Sequence, residues 1–336
     1  MTDIARMSEC SQSTVSVVLN NTPGIKISKA TRERVVRAAK KLGYETGRTR
    51  ATAAPTHGQI AIIYDRIATS PEAVISIDGA HEAASATGHV LAIYQTLSDP
   101  EIESRTLDVV LGNGVEAIIF ASIMTRKIEV PSRLYSLDIP VVLLNCYTDD
   151  HHFPTVLPGE VAGGHTATNV LVNAGHRRIA LITGEMWMDA AKDRLRGYRD
   201  SLATADIPYD PDLVKKGNWQ TSAGYECTQE LLKLKNPPTA IFCSNDRMAV
   251  GAYEAIKEFG LRIPADISII GYDDEEVSRH LAPQLSTLVL PHREMGRWAV
   301  EKAFSSEAEK KSKYPLTKLE CPYIERASIR MITPPA

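Results

Sequence analysis

From Gly58 onward, short apolar runs alternate with longer amphipathic stretches; the runs read QIAIIY, HVLAIYQ, EAIIFAS, IPVVLLN, RIALITG, TAIFCSN and ISIIGYDD. Unbroken Val/Ile/Leu runs predict strands covered on both faces, and the amphipathic intervals predict the helices that cover them. Their alternation marks βαβ units in a parallel sheet. Seven such runs exceed one small sheet, so the predicted class is α/β with two lobes of doubly wound parallel sheet.

The first fifty residues follow a different period. Thr2 is placed to cap a short helix that turns Ile4, Ala5 and Met7 inward, and Ser11 to cap a second helix after the tight connection from Ser8 to Ser11. Val15, Val18 and Leu19 share the buried face; Gln12, Ser13, Ser16 and Val17 point away from it, with Thr14 and Asn20 beside them. A third helix starts at a Ser28 cap, carries the stripe Val35, Ala38, Ala39 and Leu42, and stops at Gly43. Together they predict an N-terminal three-helix helix-turn-helix domain. A helix lying in the major groove must present short donors and acceptors near its backbone, which the polar face of SQSTVSVVLN supplies. The competing reading is a satellite bundle that binds nothing.

Charge sharpens the division. The net charge is −3, but Met1 to Arg50 carries +6 and the remainder −9. A basic head on an acidic body is the pattern of a nucleic-acid module joined to a domain with another task. No stretch approaches the roughly 20 apolar residues of a membrane span, and Met1 to Asn20 shows no secretory signal, so a cytoplasmic protein without membrane association is expected. Cys10, Cys146, Cys227, Cys243 and Cys321 form no CxxC pair, which predicts reduced structural thiols and no metal site. Without a Walker loop, HExxH or GxSxG, neither enzymatic machinery nor a cofactor is expected.

Open parallel sheets bind ligands beyond the carboxyl ends of their strands. Asn145 ends VVLLN, Asn245 and Asp246 end AIFCSND, and Asp273 and Asp274 end IIGYDD; Arg194 lies in DRLRGY and Trp219 in GNWQTSAGY. Arg, Asp and Asn engage paired hydroxyls while an indole covers the C–H face of a ring, so this set suits a sugar or sugar derivative. Asn245 and Asp246 are also placed to cap a helix, and Trp219 to fill a core. DDEE, Asp273 to Glu276, would need partners from other elements to hold a metal. His151 and His152 read as exposed loop, and Glu301 to Lys313 as a charged surface segment.

DIARMSECSQSTVSVVLN and ISKATRERVVRAAKKLGY resemble the DNA-binding head of the LacI/GalR family of bacterial transcriptional regulators, and the likeness extends through nearly the whole chain. It implies a helix-turn-helix domain over 1–46, a hinge over 47–58, and a two-lobed periplasmic-binding-protein-like effector and dimerisation domain over 59–336. It further implies a homodimer on a pseudo-palindromic double-stranded operator, with operator affinity set by a small-molecule effector, a carbohydrate on the chemistry above. Gln12, Ser13 and Val17 fall at base-reading positions, and Ser11, Thr14, Ser16, Asn20 and Ser28 at phosphate contacts. In the body, Arg194 matches a cleft arginine three residues before the family glycine, here Gly197. Trp219, Asn245 and Asp273 match effector-touching positions, Asn145 stands where sugar-binding members often have aspartate, and Ser70, Pro71 and Glu72 lie in the first-strand loop.

Three departures stand out. Glu9 replaces the usual turn glycine, and a left-handed residue with a side chain costs about 1 kcal/mol. Val17 replaces an arginine, removing a contact to guanine. The hinge, GRTRATAAPTHG, has no leucine to wedge into the minor groove, which leaves Arg48 and Arg50 to track the DNA and predicts weak bending. Two rivals remain: a solute-binding protein, for which a basic head has no use, and a carbohydrate-active enzyme, which needs paired carboxylates across a cleft.

Overall fold

The computed structural model describes residues 2–19, 27–41, 58–67, 71–305 and 313–332, and divides into two compact units, 1–57 and 58–336. In the first, α1 (Thr2–Met7), α2 (Gln12–Leu19) and α3 (Lys29–Lys41) close around Ile4, Val15, Val18, Val35 and Ala39. Ser11 and Ser28 act as caps: their hydroxyl oxygens accept from the amides of Thr14 and Thr31 at 3.1 and 3.2 Å.

Two expectations for α1 are corrected. Thr2 is its first residue rather than the residue before it. Met7 is 45% exposed, because Ser8 takes the inward slot one turn after Ile4 and its buried hydroxyl donates to the Ile4 carbonyl at 2.7 Å. The turn that follows puts Glu9 at φ +52°, with the Cys10 amide donating to the Ala5 carbonyl at 3.0 Å. This is the helix-ending arrangement in which glycine is favoured at the position Glu9 holds. Asn20, Leu42, Gly43, Ser70 and residues 47–57 of the hinge, with Arg48 and Arg50, lie outside the described residues, as do the side chains of Ser13, Ser16, Val17 and Leu19.

In the second unit the chain forms β1 (Gln59–Tyr64), α4 (Pro71–Ala86), β2 (Val90–Gln95), α5 (Pro100–Gly112), β3 (Ala117–Lys127), β4 (Val141–Tyr147) and β5 (Thr155–Pro158). It then builds α6 (Glu160–Asn173), β6 (Ile179–Thr183), α7 (Asp189–Thr204), β7 (Val214–Lys216), α8 (Thr221–Leu232), β8 (Ala240–Cys243), α9 (Asp246–Glu258), β9 (Ser268–Ile270) and β10 (Thr287–Leu288). Last come α10 (His292–Ala303), β11 (Leu316–Leu319) and β12 (Tyr323–Ile324). One parallel sheet has the order β11-β5-β4-β3-β1-β2 and the other β7-β6-β8-β9, so each of the seven apolar runs holds a strand. Polar-flanked β5, β7 and β11 are too short to have shown a period.

The chain passes between lobes at Gly159, at Val289–Pro291 and at Glu320–Pro322. These passages are laced together, the Gly159 amide donating to the Leu319 carbonyl at 2.8 Å and the Val289 amide to the Pro322 carbonyl at 2.9 Å. On the second lobe, α6 and α7 pack at close range: a Cβ on Gly197 would stand 2.2 Å from the Val161 carbonyl oxygen. That approach brings Arg194, on α7, against the first turn of α6.

Candidate functional site

The carboxyl ends of both sheets face a cleft of about 310 Å³ between the lobes. Asn145, Arg194, Trp219, Asn245 and Asp273, separated by up to 128 positions in the chain, all line it. Three of them have left-handed backbones, with φ of +58° at Asn145, +67° at Trp219 and +110° at Asp273. Such conformations cost of order 1–3 kcal/mol each and persist where the surroundings dictate them, which is common at binding sites.

Arg194 is 2% exposed and heavily engaged. Its Nε and Nη2 donate to the two oxygens of Glu160 at 2.7 and 2.9 Å, Nη1 donates to the Ser244 carbonyl and lies 3.7 Å from Asp273 Oδ1, and the guanidinium covers the Tyr272 ring at 3.7 Å. Burial opposes its charge, but Glu160 and then Tyr272 and Asp273 outweigh that and hold its pKa above the ordinary arginine value. Arg194 therefore organises the floor of the cleft as much as it faces it.

Asp273 is the group with capacity to spare. Its Oδ1 is buried with no hydrogen-bond partner among the described residues. Burial drives its carboxyl pKa well up, against the pull of Arg194, with Asp246 adding to the rise. Behind it Asp246 is wholly buried, accepting from the Thr287 hydroxyl at 2.6 Å and the Glu275 amide at 2.8 Å; burial raises its carboxyl to about 7.

The capping reading of Asn245 holds beside its place in the cleft: Oδ1 accepts from the Met248 amide at 2.9 Å, and Nδ2 donates to the Trp219 carbonyl at 3.0 Å. Trp219 is half-buried, packs against the second-lobe core and donates through Nε1 to Met188 Sδ at 2.9 Å. Its ring lies over bare backbone, since a Cβ on Gly184 would fall 1.9 Å from it. Across the gap, Asn145 accepts from the Thr125 hydroxyl at 2.6 Å and donates to the Ser122 carbonyl at 3.1 Å.

Sequence reasoning missed Glu160, Met188, Gln220, Arg247 and His292, which also line the cleft. Glu160 follows β5, the strand without a period, and Met188 sits in the polar-flanked loop MWMD, so neither carried a pattern. Glu72 lines the cleft too, and with Asp273 and Glu275 it forms a group of carboxylates whose oxygens lie within 4.8 Å of one another. The convergence that DDEE alone could not provide comes from α4.

In the first unit, Gln12 and Ser11 are exposed and Thr14 half-exposed along α2, and Ser28 is exposed ahead of α3. Ser11 and Ser28 meet the solvent while capping, and each also shares a hydrogen bond with the threonine it caps, Thr14 or Thr31, at 2.8 Å. Among the described residues, no helix is long and apolar enough to cross a membrane.

A family model described as "Bacterial regulatory proteins, lacI family" matches residues 1–46, and one described as "Periplasmic binding protein-like domain" matches residues 168–329. The chain is 31% identical over 332 residues to the ribose operon repressor of Haemophilus influenzae, covering 98% of each. Among solved structures it resembles a complex of the transcriptional regulator CelR with cellobiose (27% identity, TM-score 0.65, 97% of this chain and 98% of that one). It likewise resembles the Lac repressor dimer bound to operator and the anti-inducer ONPF (25% identity, TM-score 0.66, 98% of each chain). The basic helix-turn-helix unit, the two-lobed body with its polar cleft, and these likenesses lead to one conclusion: the chain belongs to the LacI family of bacterial regulatory proteins, as a DNA-binding transcriptional regulator under small-molecule control.

Proposed function

We propose that this regulator is a homodimeric repressor whose grip on a pseudo-palindromic operator is set by a carbohydrate bound between the lobes of each body. The carrying observation is that five polar and aromatic residues, drawn from five separate stretches of sequence, meet in one cleft with an unsatisfied carboxylate among them. Asp273 Oδ1 and the second proton of Asn245 Nδ2 offer an acceptor and a donor to a hydroxyl pair, and Trp219 offers a ring face. The cellobiose complex of CelR supports the same ligand class.

The working organisation is a reading head over 1–46, a connecting hinge over 47–58 and a sensing and dimerising body over 59–336. Gln12, Ser13 and Val17 face base edges; Ser11, Thr14, Ser16, Asn20 and Ser28 face phosphates; Arg48 and Arg50 follow the backbone between half-sites. The dimer reading is supported by edge strand β2, where Val90 and Ile93 are 55% and 45% exposed, and by Val74 on α4 and Val109 on α5 beside it. The solved Lac repressor dimer supports it as well.

Coupling is reciprocal: a ligand that prefers one lobe geometry shifts operator affinity by the factor that operator shifts ligand affinity. A gel-shift titration of the full chain on its upstream DNA, with and without a panel of sugars, tests the reading. A sequence-preferring complex whose affinity moves with one sugar supports it; no such complex at moderate salt overturns it.

A further inference from the structure

Two helices of the first lobe start at the cleft and end together away from it. α4 opens with Pro71 and Glu72, and Glu72 lines the cleft; α10 opens with His292, which lines it too, directly after the Val289–Pro291 passage between the lobes. α4 is 16 residues long and α10 is 12, which is about 24 and 18 Å of axis. α4 runs out into Thr87 and His89, and α10 into Phe304. There the rings of His89 and Phe304 meet, with centroids 4.4 Å apart.

The seam between the helices leaves no room to slide. A Cβ on Gly79 would fall 1.9 Å from the Arg293 carbonyl oxygen, and one on Gly296 would fall 1.9 Å from that of Ser76, so backbone rests on backbone. Glu82 on α4 also pairs with Arg293 and, at 2.8 Å, with Arg297 on α10. Elements packed this closely shift as a unit rather than deform.

The joined ends hold the place where the chain enters the body. The His89 side chain is 13% exposed; its Nδ1 is 2.8 Å from the Thr87 hydroxyl, and its Nε2 donates to Glu116 Oε2 at 3.2 Å. Gly58 lies against both partners: a Cβ there would fall 2.4 Å from Glu116 Oε1 and 2.7 Å from His89 Cδ2. The Val90 amide donates to the Gly58 carbonyl at 2.9 Å, and the Glu116 amide to the Gln59 carbonyl at 2.8 Å.

Resting on the reading of 47–58 as the hinge, we propose that His89 is a positioning residue for operator binding. With Glu116 and Phe304 it fixes the hinge root at Gly58, and the α4–α10 pair carries the lobe angle from the cleft to that root. Coupling of this kind runs both ways, so operator held by the head is felt at the cleft ends of both helices, whatever molecule the cleft takes.

Hydrogen exchange read by mass spectrometry on the full chain tests this, using a duplex of its upstream DNA and a shuffled duplex of equal length, each at saturating concentration. In the wild type, the upstream duplex should slow exchange at the hinge root and, by at least about fivefold, in the first two turns of α4 and α10. In His89→Ala the change at both helices should fall to the level of the shuffled duplex. In Phe304→Ala it should fall at α10, and Phe304→Tyr, which keeps the ring, should restore it. Slowing at the hinge root alone in the wild type overturns this inference and leaves the repressor reading intact; no preference for the upstream duplex overturns both. An undiminished change at the cleft ends in His89→Ala and Phe304→Ala, even with lowered melting temperatures, reduces the clamp to a support of the fold and overturns the inference as well. The wild-type comparison needs no variant and stands if either alanine variant does not fold.

Discussion

The carboxylate of Glu160 grips the guanidinium of Arg194 through both oxygens, at 2.7 and 2.9 Å, with each side chain 3% exposed. Removing either partner strands the other as an unpaired buried charge, which costs about 3–5 kcal/mol. Glu160→Ala and Arg194→Ala should therefore each lower thermal stability by that order, read by circular dichroism melting. A melting temperature within a degree or two of wild type in both variants would mean the pair contributes nothing.

The same pairing makes Arg194→Ala a poor probe of effector binding, because loss of response would be mixed with loss of fold. Asp273→Asn is cleaner. Asparagine tolerates the φ of +110° and keeps the side-chain shape. The expected outcome is operator binding close to wild type with the effector-induced rise in melting temperature largely lost. An undiminished shift would remove Asp273 from the site.

Trp219 rests on Gly184, where a Cβ would fall 1.9 Å from the ring. Gly184→Ala should push the indole off its place, shifting tryptophan fluorescence and weakening effector binding by about tenfold, equivalent to roughly 1.4 kcal/mol. Unchanged emission and affinity would show that the ring has room to give.

In the head, Glu9 sits at φ +52° with an exposed side chain. Glu9→Gly should relieve the backbone and stabilise the three helices by about 1 kcal/mol, seen as later unfolding in urea with operator preference unaltered. Destabilisation instead would assign the glutamate a supporting contact.

His176 is fully buried, its two ring nitrogens 2.9 Å from the Thr239 hydroxyl and 3.0 Å from that of Ser268. Burial, opposed only in part by a backbone hydrogen bond, lowers its pKa to about 4. Unfolding restores the ordinary value near 6.5, so the unfolded chain binds the proton first. The stability this neutral ring confers is complete above pH 6.5 and disappears as pH falls toward 4, a loss of order 3 kcal/mol. His176→Asn or His176→Gln should flatten that stretch of the stability curve in urea melts; an equal slope in the variant would refute the assignment.

What the sequence disclosed followed its periods. The seven Val/Ile/Leu runs named the strands, and their ends named Asn145, Asn245 and Asp273, because a strand terminus fixes where the next polar residue stands. The caps at Ser11 and Ser28 were likewise local, whereas the left-handed turn at Glu9 showed only through the family resemblance, which places a glycine there. Glu160, Arg247 and His292 were not: each owes its place to a long-range meeting, α6 with α7, α9 with the segment after β9, or α10 with α4. The commitment of Arg194 to Glu160 was hidden for the same reason, since no short-range pattern ties residues 34 positions apart.

The laced passages at Gly159 with Leu319 and Val289 with Pro322 constrain how the body can move. A single strap would let one lobe swivel on the other, whereas three strands of chain bound side by side at the waist, two of them stiffened by Pro291 and Pro322, resist torsion and yield chiefly to flexing. Whatever occupies the gap thus sets one angle rather than many, and a molecule gripped from both sides delivers its binding energy along that single coordinate.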